Sequence, residues 1–118
     1  MKEELPFDID KECIPLCTAL NSLKGIKTFE SCCGHGKRPF RIWFTAENVN
    51  DLTIPAMACY RMYGDCLGWR IEVVHSESPN RTKFMLEGTI GESAYNDSTK
   101  IVQAIQEIKK EAENEKEI

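Results

Sequence analysis

The 118-residue sequence has no CxxC pair, no long apolar run and only two histidines. Without CxxC, neither a thioredoxin-like redox motif nor a zinc-ribbon spacing is present. No run approaches the roughly 18 apolar residues of a membrane span, so a transmembrane helix is not expected. The N-terminus carries no charged-then-apolar leader, which points to a reducing cytoplasm and to free thiols at the six cysteines. Imidazole chemistry is confined to His35 and His75.

What is present is an ordinary single-domain composition, 42% hydrophobic and 29% charged. A core large enough to stabilise one domain over 1–118 is expected, with 1–10 and 113–118 frayed. The formal net charge is −4, but residues 1–12 and 111–118 each contribute −3, so the body from 13 to 110 is +2. Acidic ends read as solvated flanks. The body is too weakly basic to neutralise several phosphates at once, which disfavours nucleic acid as a partner without forbidding it. One small anion remains within its means.

The apolar pattern predicts two halves, each a helix followed by a hairpin, and then a final helix. Cys13, Leu16, Cys17, Leu20 and Leu23 recur at three and four, predicting a helix over 13–24 with Asp8 or Asp10 as its cap and Gly25 as its stop. Strands follow over 26–33 and 40–45, where Phe40, Ile42 and Phe44 share one face and Arg41 and Trp43 the other. A second helix is expected over 53–63, capped by Thr53 and ended by Gly64. Trp69, Ile71 and Val73 then alternate inward, with His75 on the same parity, and a turn at Pro79-Asn80 leads to a strand over 82–88 carrying Phe84 and Leu86 inward. After a loop or short strand through Asn96, a helix opens at Asp97 or Ser98 and frays beyond Ala112. The expected fold is therefore α+β, in the order αββαββα. A four-stranded, mainly antiparallel sheet would carry its helices on one face.

The densest cluster of reactive residue types runs from Glu30 through Ser31, Cys32, Cys33, Gly34, His35, Gly36, Lys37, Arg38 and Pro39 to Phe40. Glycines around a histidine permit unusual backbone angles, and successive N–H groups in such a loop can form an anion-binding concavity. Lys37 and Arg38 add positive charge, and an arginine can grip a phosphate or carboxylate with two parallel bonds. The expected ligand-binding set is Glu30, Cys33, Gly34, His35, Gly36, Lys37 and Arg38, with Trp43 shaping the pocket. A metal set draws on the same segment. Cys13 and Cys17 lie one helical turn apart and, with Cys33 and His35, would complete four ligands for a tetrahedral zinc. Successive strand residues alternate faces, so only one of Cys32 and Cys33 can easily serve. A third option pairs Cys33 with His35 as a thiolate nucleophile oriented by Glu30. Arg41 and Trp43, with Arg70 and Glu72, would line the uncovered sheet face as a stacking surface, a protein contact or a homodimer face.

Two resemblances rest on Ile14 to Asn21 (Ile-Pro-Leu-Cys-Thr-Ala-Leu-Asn), Thr28 to His35 and Arg41 to Phe44. The stretch is similar to small proteins common in phages and prophages, which implies a host-cytoplasm setting. It also resembles the wybutosine-synthesis tRNA methyltransferase family at Leu20, Asn21, Thr28, Ser31, Cys32 and Gly34, with His35 where that family has arginine. That resemblance implies S-adenosylmethionine-dependent methyl transfer. The leading expectation is a small binding module that holds an anionic, nucleotide-like molecule or a partner through the Gly34–Pro39 loop. The alternatives are a zinc-stabilised protein-interaction domain and a methyltransferase-like enzyme.

Overall fold

A computed structural model describes residues 9–62, 68–76 and 82–116. The expected positions of the Gly64 stop, the Pro79-Asn80 turn and most of the N-terminal lead-in lie outside the described residues. A single 3-10 turn, Lys11–Cys13, runs into α1 (Ile14–Asn21), followed by strands β1 (Ile26–Cys32) and β2 (Pro39–Ala46). A second 3-10 turn at Val49–Leu52 leads into α2 (Thr53–Arg61). The chain continues as β3 (Arg70–Ser76), β4 (Thr82–Ile90) and α3 (Ser93–Lys116). The order is the expected αββαββα, and the fold is α+β.

All four strands form one antiparallel sheet in the order β1-β2-β4-β3. The two hairpins thus meet through β2 and β4 at the centre, while β1 and β3 are its edges. Alternation along β2 buries Phe40, Ile42 and Phe44 and leaves Arg41, Trp43 and Thr45 partly exposed. Phe84 and Leu86 of β4 join the buried face. Leu16, Cys17 and Leu20 of α1, Ala58 of α2, and Ile101, Ile105 and Ile108 of α3 close over it as a single core. Helices therefore cover one face and leave the other open. Among the described residues no helix is long and apolar enough to cross a membrane.

Several boundaries move for local reasons. α1 stops at Asn21, before Gly25, because the Asn21 side chain turns to β1: its Nδ2 donates to Thr28 Oγ1 and its Oδ1 accepts from Thr28 N, both at 2.8 Å. Gly25, at φ 75°, makes the reversal, and a Cβ there would collide with the Asp51 carboxylate. Thr53 is not a cap; its hydroxyl donates to Asn50 O inside the preceding turn, while Asp51 Oδ2 accepts from Asn48 N at 3.0 Å. α3 begins at Ser93, not at Asp97 or Ser98, since Ala94 is fully buried and Tyr95 stacks edge-on against Phe40. It also continues to Lys116, consistent with the high helix propensity of its glutamates and lysines.

The second hairpin departs most. Val73 is 68% exposed instead of inward, towards the outer end of edge strand β3, although Ile71 of the same strand packs against the core. A bulge between Val73 and His75 then shifts the register, setting His75 opposite Lys83 on the open face instead of towards the core. Trp69, just before β3, is buried against Phe40 at 5.5 Å between ring centroids and lies over Gly88 of β4. A Cβ at Gly88 would overlap the indole six-membered ring. Gly88→Ala should lower stability by about 1–3 kcal/mol in chemical denaturation. In a double-mutant cycle with Trp69→Leu the two losses should be less than additive, since the leucine vacates the colliding ring.

Candidate functional site

One residue of backbone decides how the reactive segment is presented. β1 carries a bulge between Thr28 and Glu30, after which Glu30 pairs with Trp43, Ser31 with Ile42 and Cys32 with Arg41. Ile26 and Thr28 face the core before the bulge, and Ser31 and Cys33 take that role after it. Glu30 and Cys32 consequently join Arg41 and Trp43 on the open face. Of the two adjacent cysteines, Cys33 is buried and Cys32 is partly exposed.

Residues Gly34–Gly36 form a tight 3-10 turn with positive φ at Gly34 (82°), His35 (52°) and Gly36 (78°). The turn's amides are largely spent inside it. Gly34 N donates to Cys32 Sγ and His35 N to Cys33 Sγ, each at 3.4 Å, while Lys37 N and Arg38 N both donate to Gly34 O. The expected N–H concavity is thus closed by the chain's own sulfur and carbonyl acceptors. Lys37 is exposed, and His35, with 70% of its side chain exposed, turns towards Asp10.

A hollow of about 220 Å³ lies beside the turn, lined by Glu30, Ser31, Cys32, Arg38, Pro39, Arg41 and Trp43. Of the expected ligand-binding residues, it brings together Glu30, Arg38 and Trp43, but not Cys33, Gly34, His35, Gly36 or Lys37. Arg41 is held by Glu87, whose Oε2 accepts from Arg41 Nε at 2.7 Å. The same carboxylate, only 8% exposed, also accepts from Arg70, which donates in turn to Glu72 Oε1 at 2.6 Å. Pairing with Glu72 and Glu87 pushes the Arg70 pKa up. This lattice fixes Arg41 in place. Arg38 and Glu30 have no hydrogen-bond or ion-pair partner among the described residues.

Behind the turn lies a second constellation that includes a residue considered above only as a cap. Asp10 Oδ2 accepts from Cys33 N at 3.0 Å, across 23 residues of sequence, and stands 3.7 Å from His35 Nε2. That backbone N–H, reinforced by His35, holds the Asp10 carboxyl below its ordinary range. His35 Nδ1 is 3.5 Å from Cys33 Sγ, and the Tyr95 hydroxyl reaches the same sulfur at 3.8 Å. Cys33 and His35 are therefore joined as the nucleophile reading requires, with Asp10 and not Glu30 behind the imidazole. Burial nevertheless pushes the Cys33 thiol up, against the demand of a thiolate nucleophile. The Tyr95 phenol, donating to that sulfur, is itself pushed up to about 12.

The four expected metal ligands are not gathered into one cluster. Cys13 and Cys17 are fully buried under the sheet, whereas the donors of His35 gather with those of Asp10 and Cys32. The helical spacing that put both thiols on one face is the spacing that put them in the core. Asp10, expected as a possible helix cap, gives its carboxylate instead to the Cys33 amide 23 residues on, a pairing no local pattern announces. Arg41 was legible through strand alternation with Trp43. No protein-family model, curated protein or solved structure matches this chain.

The buried thiols have a measurable signature. Burial pushes Cys13 up to about 12 and Cys17 up to about 11 from an ordinary thiol value of 9.0, with the Ser31 hydroxyl opposing the rise in both. Folding therefore favours their protonated forms. The resulting stability is complete below pH 9 and is lost as pH rises towards 11 and 12. Denaturation midpoints should fall between neutral pH and about pH 10.5, and Cys13→Ala plus Cys17→Ala should flatten that fall. In native protein at neutral pH, iodoacetamide should modify Cys32 well before Cys13 or Cys17, as read by peptide mass mapping.

Proposed function

We propose that this chain is a small binding module for a nucleotide-like anion, held in the hollow between Arg38 and Trp43. The observation that carries this reading is that two charges of the hollow, Arg38 and Glu30, without a hydrogen-bond or ion-pair partner among the described residues, line it beside a partly exposed indole. Arg38 beside Arg41, the latter already oriented by Glu87, suits a phosphate or carboxylate gripped from two sides. A partly exposed indole offers a flat apolar surface on which a base can stack, a contact worth about 1–3 kcal/mol.

The negative charge of Glu30 narrows the choice. As the cross-strand neighbour of Trp43, its carboxylate lies beside any ring stacked on the indole. A carboxylate only accepts hydrogen bonds, so it favours a base edge bearing N–H groups and opposes one bearing lone pairs. Guanine presents two adjacent N–H donors. Adenine offers an acceptor beside its one amino group. A volume of about 220 Å³ suits a single base with its phosphate at the rim, below the usual range for larger ligands.

Titration of the metal-free full chain with GMP, AMP, guanosine and inorganic phosphate, followed by Trp fluorescence and calorimetry, tests this reading. GMP should bind tighter than AMP and than either of its parts. Arg38→Ala and Trp43→Ala should each weaken it about tenfold or more, while Glu30→Gln should narrow the preference over AMP. Lys37→Ala, outside the hollow, should leave binding unchanged. Absence of nucleotide binding, or equal losses from Lys37→Ala and Arg38→Ala, overturns the proposal.

A further inference from the structure

Asp10, Cys32 and His35 come from the lead into α1, the end of β1 and the following turn, and their donor atoms all lie within 4.8 Å of one another. A carboxylate, a thiol and an imidazole form a mixed donor set of the kind that zinc takes. We propose that these three side chains bind a zinc-class divalent cation, through Asp10 carboxylate oxygen, Cys32 Sγ and His35 Nε2, with a fourth position adjoining the hollow. The inference is independent of the nucleotide reading.

Its strength is in what surrounds the donors. Metal ligands are normally oriented by a second hydrogen bond, and each of these three has one. The Asp10 carboxylate is held by Cys33 N at 3.0 Å, and Cys32 Sγ accepts from Gly34 N at 3.4 Å. His35 Nδ1 is 3.5 Å from Cys33 Sγ, so a proton on Nδ1 donated to that sulfur leaves the Nε2 lone pair for the metal. Cys33 is thus a positioning residue. It turns the imidazole and, through its amide, the carboxylate as well.

Distances and exposure agree with this assignment. Ligands of a tetrahedral zinc stand about 3.5 Å apart, given bonds near 2.0 Å to nitrogen and 2.3 Å to sulfur. His35 Nε2 and Asp10 Oδ2 are already 3.7 Å apart, and since all donors lie within 4.8 Å of one another, no pair needs to close by more than roughly 1.3 Å, within reach of side-chain rotation. All three residues are partly or fully exposed, so an ion can enter, and binding releases the Cys32 thiol proton to solvent. His35 takes a left-handed backbone conformation, uncommon for non-glycine residues, while its ring stands 3.7 Å from Asp10 Oδ2 and 3.5 Å from Cys33 Sγ. Cys32 also lines the hollow, so a cation held by its sulfur would adjoin that hollow.

The test is zinc(II) titration of the purified full chain against a chromophoric chelator, with cobalt(II) as the spectroscopic probe. Wild type should bind one zinc, and the cobalt form should show a thiolate charge-transfer band. Cys32→Ser should remove that band. Asp10→Asn, and His35→Asn, chosen because asparagine tolerates the left-handed backbone, should each weaken zinc at least tenfold with unchanged circular dichroism. Cys33→Ala should weaken it to a smaller extent, while Cys13→Ala should change nothing. Folded wild type that takes up no zinc overturns the site, as does binding kept in Cys32→Ser and lost in Cys13→Ala. If Cys32→Ser fails to fold, Asp10→Asn decides alone. Since nucleotide binding is measured on metal-free protein, failure here leaves that measurement standing, and the reverse holds too.

Discussion

The alternation of β2 under the helical layer is the constraint from which the rest follows. Phe40, Ile42 and Phe44 are fully buried because β2 is central in the sheet and all three helices supply apolar side chains above it. Two large aromatic rings and an isoleucine in consecutive inward positions cannot be moved to solvent without losing several kcal/mol apiece. That fixes the pleat, and the pleat forces Arg41 and Trp43 onto the opposite face. A site on the open face is thus a by-product of a core that admits only one register.

Onto this rigid strand the chain adds one edge strand and one turn. β1 brings Glu30 and Cys32 alongside Trp43 and Arg41, and Glu87 of β4 holds Arg41 from the other side. The turn after β1 spends its amides on Cys32 Sγ, Cys33 Sγ and Gly34 O, so it is stiffened from within. Asp10 then ties the lead into α1 to the Cys33 amide. The result is a shallow hollow with a charged pair on one side and a knot of carboxylate, imidazole and sulfur on the other. Cys32 belongs to both, lining the hollow and standing beside Asp10 and His35.

The buried thiols serve a different purpose from the exposed one. Cys13 and Cys17 behave as small apolar side chains, kept protonated by the desolvation that also makes them good core residues. The cysteine environments range from core packing at Cys13 and Cys17, through a buried sulfur that accepts hydrogen bonds at Cys33, to a partly exposed one at Cys32. Cysteine number alone said nothing about that division of labour.

Read alone, the sequence determined the αββαββα order, the antiparallel sheet and the buried face of β2. These follow from local periodicity, which each element expresses regardless of its neighbours. It also marked Glu30, Arg38 and Trp43, because charge and aromatics near a glycine-rich turn are visible without coordinates. Tertiary structure decided the remainder. A bulge after Thr28 shifts the strand's parity, sending Cys32 out and Cys33 in, and a second after Val73 carries His75 to the open face. Asp10 meets Cys33 and His35 only because α1 packs against the sheet. Bulges and contacts of this kind arise where strands pair and layers close, over separations that no local pattern records, so a one-residue offset reassigned the side chains that count most.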